Sequence, residues 1–481
     1  MLIAAITVVL FYPNGWLPVL LAGGSTLLLA FDRKLGPFGA ALFVMLVLPV
    51  GRGSEIGLPR LGDIPVRPHD LAPLVGAALT LPAVARRFGS RASLRLDALL
   101  PLGAFAVVGV VALLVGVIGD QALRDIVRDA RWWAFYAVGG LALLAGTPRA
   151  PLVRALVWGL TIYAAIVLIG LLMPLFHGGL KYGAYAYDPR MRLHYGQAVL
   201  LLVPIAFGVD HVIRKPSVQW LALLALLSAA IGVTLTRTLL VGALGVTVLT
   251  AVWALIAIAR RAQAPARRSA GSAAAAFVLA TVAVVAGIAA GFGAYQLGVQ
   301  TWTPTWAYSA DQGLVTNGGP SDTRPVRPAL GRVFEDTENA GFGAQAGGRL
   351  ASYAEAFADT GESPLIGHGM GQQATISWAW GGVRAINPGT QPGVDNAYLT
   401  VGLKAGAVGM AAFAAMFLWP IRLSGRRSLR RMQTWYIPAW LGILGLTLIQ
   451  SFAVSGYAPF ALSLLLVLPA LSTTRRRSTS D

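Results

Sequence analysis

The sequence predicts an all-α polytopic membrane protein of about 14 (12–14) transmembrane helices, with one large, partly helical extracytoplasmic loop. Three observations carry this expectation. Of 481 residues, 56% are apolar and only 12% charged, at a mean hydropathy of +0.66, whereas a soluble chain carries about twice that charged share. Apolar runs of membrane-crossing character recur along the whole chain. Lys and Arg gather in alternate connections between those runs, as they do on the cytoplasmic side of membrane proteins.

In chain order the hydrophobic segments fall at 2–12, 16–31, 35–51, 70–86, 97–118, 131–146, 150–175, 196–213, 216–236, 238–259, 273–298, 396–421, 434–453 and 457–472. Several are short for a crossing of about 20 residues. The first is shortest and reads equally as a re-entrant or signal-like start, with no small-residue cleavage site behind it. Connections are mostly short, as in a compact bundle, except for residues 299–395. The chain thus divides into an N-terminal transmembrane bundle (1–298), a large extracytoplasmic loop (299–395), and C-terminal transmembrane helices with a basic tail (396–481). The loop opens on turn chemistry, Trp302-Thr303-Pro304-Thr305-Trp306. From Gly348 to Asp359 the spacing of Leu350, Tyr353, Ala354 and Phe357 predicts an amphipathic helix, stopped by Thr360-Gly361-Glu362-Ser363-Pro364. Residues 119–131 carry opposite charges three or four apart and predict a short interfacial helix laced by ion pairs.

The net charge of +18 would suit a nucleic-acid binder, but its distribution argues otherwise. With the N-terminus inside, inner connections hold 22 Lys/Arg against 4 Asp/Glu, and the outer side holds 16 of each. Topology accounts for the whole excess, and no nucleic-acid partner is implied. Both termini are expected in the cytoplasm. The chain has no cysteine, and its five histidines are scattered, so neither a disulfide framework nor a metal site is expected.

Four places on the expected outer side carry candidate chemistry. Arg237 sits in Thr234-Leu235-Thr236-Arg237-Thr238 at a helix boundary, either as a functional cation or as an arginine snorkelling to lipid headgroups. Arg349, with Glu355 and Asp359, offers either a planar fork for phosphate oxygens or a surface ion pair. The run Pro364-Leu365-Ile366-Gly367-His368-Gly369-Met370-Gly371-Gln372 permits close backbone approach to a ligand. It lacks the Lys-Ser/Thr of a P-loop, and His368 reads as a structural hydrogen-bond partner or a proton shuttle. In Asp395-Asn396-Ala397-Tyr398-Leu399 the aspartate is a helix cap or a general base.

The order of these pieces, continued by Gly406 and Gly409 in the next helix, resembles the O-antigen ligase and Wzy-type polysaccharide polymerase family over about residues 216–420. The resemblance implies a GT-C-like bundle in the bacterial inner membrane, with a metal-independent, inverting glycosyltransferase site on its periplasmic or extracellular face. No cofactor is implied. The donor would be an undecaprenyl-diphosphate-linked oligosaccharide and the acceptor a glycan hydroxyl, both met at the lipid bilayer. Arg237 and Arg349 match the family's diphosphate-binding arginines. Asp395 stands where many members carry histidine, so Asp395, His368 and His194 are the candidate bases. Arg190, Arg192, Asn396 and Tyr398 are candidate substrate contacts. The missing histidine favours a polymerase over a ligase that joins glycan to a lipopolysaccharide core. A transporter or flippase is the rival from another class, disfavoured by helix interiors almost free of charge, Lys404 being the main exception.

Overall fold

The computed structural model describes residues 2–11, 16–48, 60–61, 64–89, 96–172, 196–234, 236–261, 270–309, 342–378, 384–391, 393–424, 430–454 and 458–471. Among them are fifteen α-helices: α1 (Leu2–Phe11), α2 (Leu17–Ala30), α3 (Gly36–Val47), α4 (Pro68–Gly89), α5 (Leu96–Ile118), α6 (Leu123–Leu144), α7 (Arg149–Leu172), α8 (Leu202–Arg214), α9 (Val218–Val233), α10 (Arg237–Arg261), α11 (Ala270–Ser309), α12 (Phe342–Glu362), α13 (Ala397–Ser424), α14 (Arg430–Thr447) and α15 (Ala458–Val467). All but α12 coincide with an expected hydrophobic segment. Two antiparallel hairpins interrupt the all-α expectation: β1 (Arg60–Leu61) with β2 (Ile64–Pro65), and β3 (Ala374–Trp378) with β4 (Arg384–Gln391).

Among the described residues, six helices have the length and composition to cross a membrane: Asp70–Phe88, Leu99–Ile118, Arg149–Ile169, Arg237–Ala259, Gly271–Tyr295 and Ala397–Ser424. Their outer faces are apolar and bare. On α5, Leu100, Val107, Val111, Leu114 and Ile118 are all exposed, spaced to form one stripe. On α10, Val241, Leu244, Val248, Val252 and Ile256 do the same. A row of exposed aliphatics of this length is what a lipid-facing surface requires. The short helices α3 and α15 are buried almost all round (Phe38, Leu42, Phe460 and Leu462 at 0% exposure). They form the centre of the bundle, which explains why their segments are uniformly hydrophobic yet brief.

The charged contacts sort into two ends. At one end Arg87 reaches the Leu143 and Leu144 carbonyls, Arg149 caps α15 through Leu468 and Leu471, and Arg154 meets the Lys34 carbonyl. Arg87 and Arg149 supply donors at the C-terminal ends of α6 and α15, where helix carbonyls lack intrahelical partners, and Arg154 binds the turn between α2 and α3. At the other end Asp70 pairs with Arg131 at 3.3 Å, the starts of α10 and α13 meet the end of α14, and Lys404 ties α13 to Asp129 near the start of α6.

Three expectations need correction. The charged stretch 119–131 is no separate interfacial helix, because α6 runs unbroken from Leu123 to Leu144; a change in hydropathy marked a change of surroundings along one helix. Residues 302–306, taken as loop chemistry, continue α11 to Ser309. Of the apolar stripe whose spacing predicts α12 as amphipathic, Leu350 and Phe357 are exposed (65% and 66%). The buried face is instead Ala356 and Thr360 beside half-buried Tyr353, packed with Ala374, Val394 and Leu403, because small residues let α12 lie close on the start of α13.

Candidate functional site

Arg237 begins α10. The turn before it is built from threonines: Thr234 Oγ1 donates to the Ile231 carbonyl at 2.7 Å, and Thr236 donates to the Thr234 carbonyl at 3.1 Å. The Thr236 carbonyl accepts from Leu239 and Leu240 and so starts the helix. A cation here gains nothing from the helix dipole, whose positive end is at the same place. The side chain is half-buried, and Nη2 is buried with no hydrogen-bond partner among the described residues. An unpaired guanidinium nitrogen above a helix N-terminus is an arrangement that calls for an anion.

Hydrogen bonds link this point to the other candidates. Thr238, next to Arg237, accepts from Gln450 Nε2 at 2.7 Å. Gln450 lies just past α14, whose trailing Leu448 carbonyl accepts from Asn396 Nδ2 at 2.8 Å. Tyr398 meets Thr447, the last residue of α14, through its hydroxyl. The Asp395 carbonyl then accepts from the Tyr353 hydroxyl at 2.7 Å, and Tyr353 stands one turn after Arg349 on α12. Segments far apart in sequence thus converge on one rim. The Arg349 side chain lies outside the described residues, as do His194, Arg190 and Arg192.

The cap question is resolved in favour of the neighbour. Asn396 Oδ1 accepts from the Leu399 N–H at 3.0 Å, the geometry of an N-cap. Asp395 is not the cap. Its side chain is exposed and in no ion pair among the described residues. Tyr398 packs edge-on against Phe413 with ring centres 5.2 Å apart, so much of its side chain serves the core.

The glycine run takes a different part from the one its sequence suggests. Gly367, Gly369 and Gly371 all have positive φ (68°, 90° and 94°), where an L side chain is strained. Their N–H groups are already used: Gly367 donates to Ser363, His368 to Leu403, Gly369 to Lys404, Met370 to Ala112, and Gly371 to Asp129. No nest is left for a phosphate. The turn instead completes a broken helix. At Gly406 (φ 62°, ψ −164°) α13 is interrupted, and Ala407 and Val408 donate to the Pro364 and Leu365 carbonyls. His368 Nε2 lies 2.7 Å from the Asp359 carbonyl. A carbonyl only accepts, so Nε2 carries the proton and Nδ1 is the basic nitrogen.

Hydropathy singled out Lys404 but not its partner. It is fully buried, its Nζ 2.5 Å from Asp129 Oδ2 and 2.8 Å from the Gln372 carbonyl. Gln450 was missed altogether; an uncharged side chain after an apolar run gives no sequence signal.

Residues 222–414 match the family described as O-antigen ligase. That span includes Arg237, Arg349, the glycine turn and Asp395. No curated protein matches the chain.

Proposed function

We propose that this chain, whose residues 222–414 match the O-antigen ligase family, is a membrane glycan-joining enzyme that works as a polysaccharide polymerase drawing on an undecaprenyl-diphosphate-linked donor. The observation that carries the site assignment is the unpaired, buried guanidinium nitrogen of Arg237, on the rim that also gathers Asp395 and α12. In this reading Arg237 and Arg349 hold the two phosphates of the leaving group. Fixed cations stabilise the charge that develops as the bond from sugar to phosphate breaks, and no metal is called for. The acceptor hydroxyl approaches from the opposite side, near Asp395. Its oxygen bonds to the anomeric carbon with inversion, its proton passes to the carboxylate, and the diphosphate departs on its lipid. Nδ1 of His368 is the alternative base. The rim faces the periplasm or cell exterior, and the arginine-rich end faces the cytoplasm, since that end holds the positive excess.

The matched family's own description favours a second reading, a ligase that uses a separate acceptor. One assay separates the two. Purified protein in liposomes receives only the lipid-linked oligosaccharide, and products are resolved on a gel. A ladder of longer glycans is expected. Arg349→Lys and Arg237→Lys should each lower turnover by about 10- to 100-fold at undiminished protein yield, because charge stays while the bidentate grip goes. Asp395→Asn should lose activity with α13 still capped by Asn396. A ladder that appears only after a candidate core acceptor is added assigns the ligase. Wild-type protein inert with every donor and acceptor would remove the enzyme reading.

A further inference from the structure

Two buried polar atoms at the rim lack partners among the described residues, and one threonine lies between them: Nη2 of Arg237 and Oε1 of Gln450. The other end of the Gln450 amide is fixed, because Nε2 donates to the hydroxyl of Thr238, the residue after Arg237. Proteins leave few buried amide oxygens without a donor, so such an atom needs a reason.

Its chemistry narrows what could satisfy it. Turned by 180°, the amide would accept from the Thr238 hydroxyl through Oε1 and leave Nε2 over instead. One head atom is unmatched in either orientation. A ligand group that suits both cases must donate and accept, as a hydroxyl does and a phosphate does not. The Arg237 nitrogen can only donate, and it asks for an anion. An anion site beside a hydroxyl site describes a sugar joined to a phosphate.

Building on the proposed function, we infer that Gln450 is a further substrate-binding residue, holding a hydroxyl of the donor's first sugar while Arg237 holds the diphosphate attached to it. Gln450 lies beyond the matched span 222–414, and it would read the identity of the sugar where Arg237 reads only the leaving group.

The test uses the full chain in liposomes with the lipid-diphosphate oligosaccharide and a set of donors each lacking one hydroxyl on the first sugar. Gln450→Leu should raise KM for the complete donor about three- to tenfold, with kcat moved less. Wild-type protein should disfavour one deoxy donor by a similar factor, and Gln450→Leu should not distinguish it from the complete donor. Should Gln450→Leu fold poorly, Thr238→Val keeps both amide atoms but loosens them, and should weaken the same discrimination. Unchanged KM and unchanged discrimination in an active Gln450→Leu protein would overturn the inference. So would a loss of kcat alone that adds nothing to Arg237→Lys, since Gln450 would then merely support the guanidinium. Wild-type protein inert with every donor is a separate result, which removes the proposed function and this inference with it.

Discussion

Lys404 shows how one residue's surroundings decide its meaning. In a helix that crosses the membrane, a lysine reads as a pathway or binding residue. Here Asp129 and the Gln372 carbonyl take two of its three donors, and the same carboxylate oxygen receives the Gly371 N–H. The group therefore fastens α6, the glycine turn and α13 together. Removing one partner leaves a buried charge uncompensated, at a cost of about 3–5 kcal/mol. Lys404→Met should accordingly lower the thermal midpoint in detergent steeply. Lys404→Met combined with Asp129→Asn should recover most of the loss, since asparagine still accepts from Gly371 without a charge. Equal midpoints for the single and double variants would show the pair to be weakly coupled. Of the candidate residues, Arg237 was legible because a charge at a hydrophobic boundary stands out. The partnership that explains Lys404 spans 275 positions and leaves no local pattern.

Close approach between elements is purchased with glycine where α9 meets α11. A Cβ at Gly287 would fall on the Ala225 carbonyl, and one at Gly291 on the Ala229 carbonyl. These two glycines, four apart, let the helix backbones touch as small residues do in membrane bundles. Gly293, two residues on, has nothing within 4 Å of where its Cβ would stand. Gly291→Leu should destabilise by about 1–3 kcal/mol through overpacking. Gly293→Ala should be neutral or gain up to about 1 kcal/mol of helix propensity. Thermal unfolding of both variants in the same detergent checks the contrast, and similar behaviour at the two positions would contradict this packing. At Gly406 the break in α13 frees backbone groups at membrane depth, which is tolerated only where protein satisfies them. The turn at 364–371 does so, and this filled break offers no exposed midplane site of the kind transporters use.

For the whole molecule, the charge pattern predicts an orientation, the proposed one, and the cysteine-free sequence makes it simple to measure. Ala122 and Lys215 are both exposed, at opposite ends of the bundle. With the rim outward, Ala122→Cys should react with a membrane-impermeant maleimide on intact spheroplasts, and Lys215→Cys only after lysis. The reverse result would invert the protein and place the proposed site in the cytoplasm. The two ends are distinct in structure as well: arginines cap carbonyls at one, while Gln450, Asn396 and Tyr353 join the helix starts at the other.

The sequence by itself determined the helical, membrane-embedded class, the place of nearly every helix and the rim arginine. These follow from hydropathy and charge, which are properties of neighbouring residues. Only the tertiary structure decided that the glycine turn mends a helix, that Asn396 rather than Asp395 caps α13, and that Gln450 bonds to Thr238, the residue after Arg237. Each depends on a contact between segments distant in the chain, and a hydrogen bond of that kind constrains two positions without giving either a periodic or compositional mark.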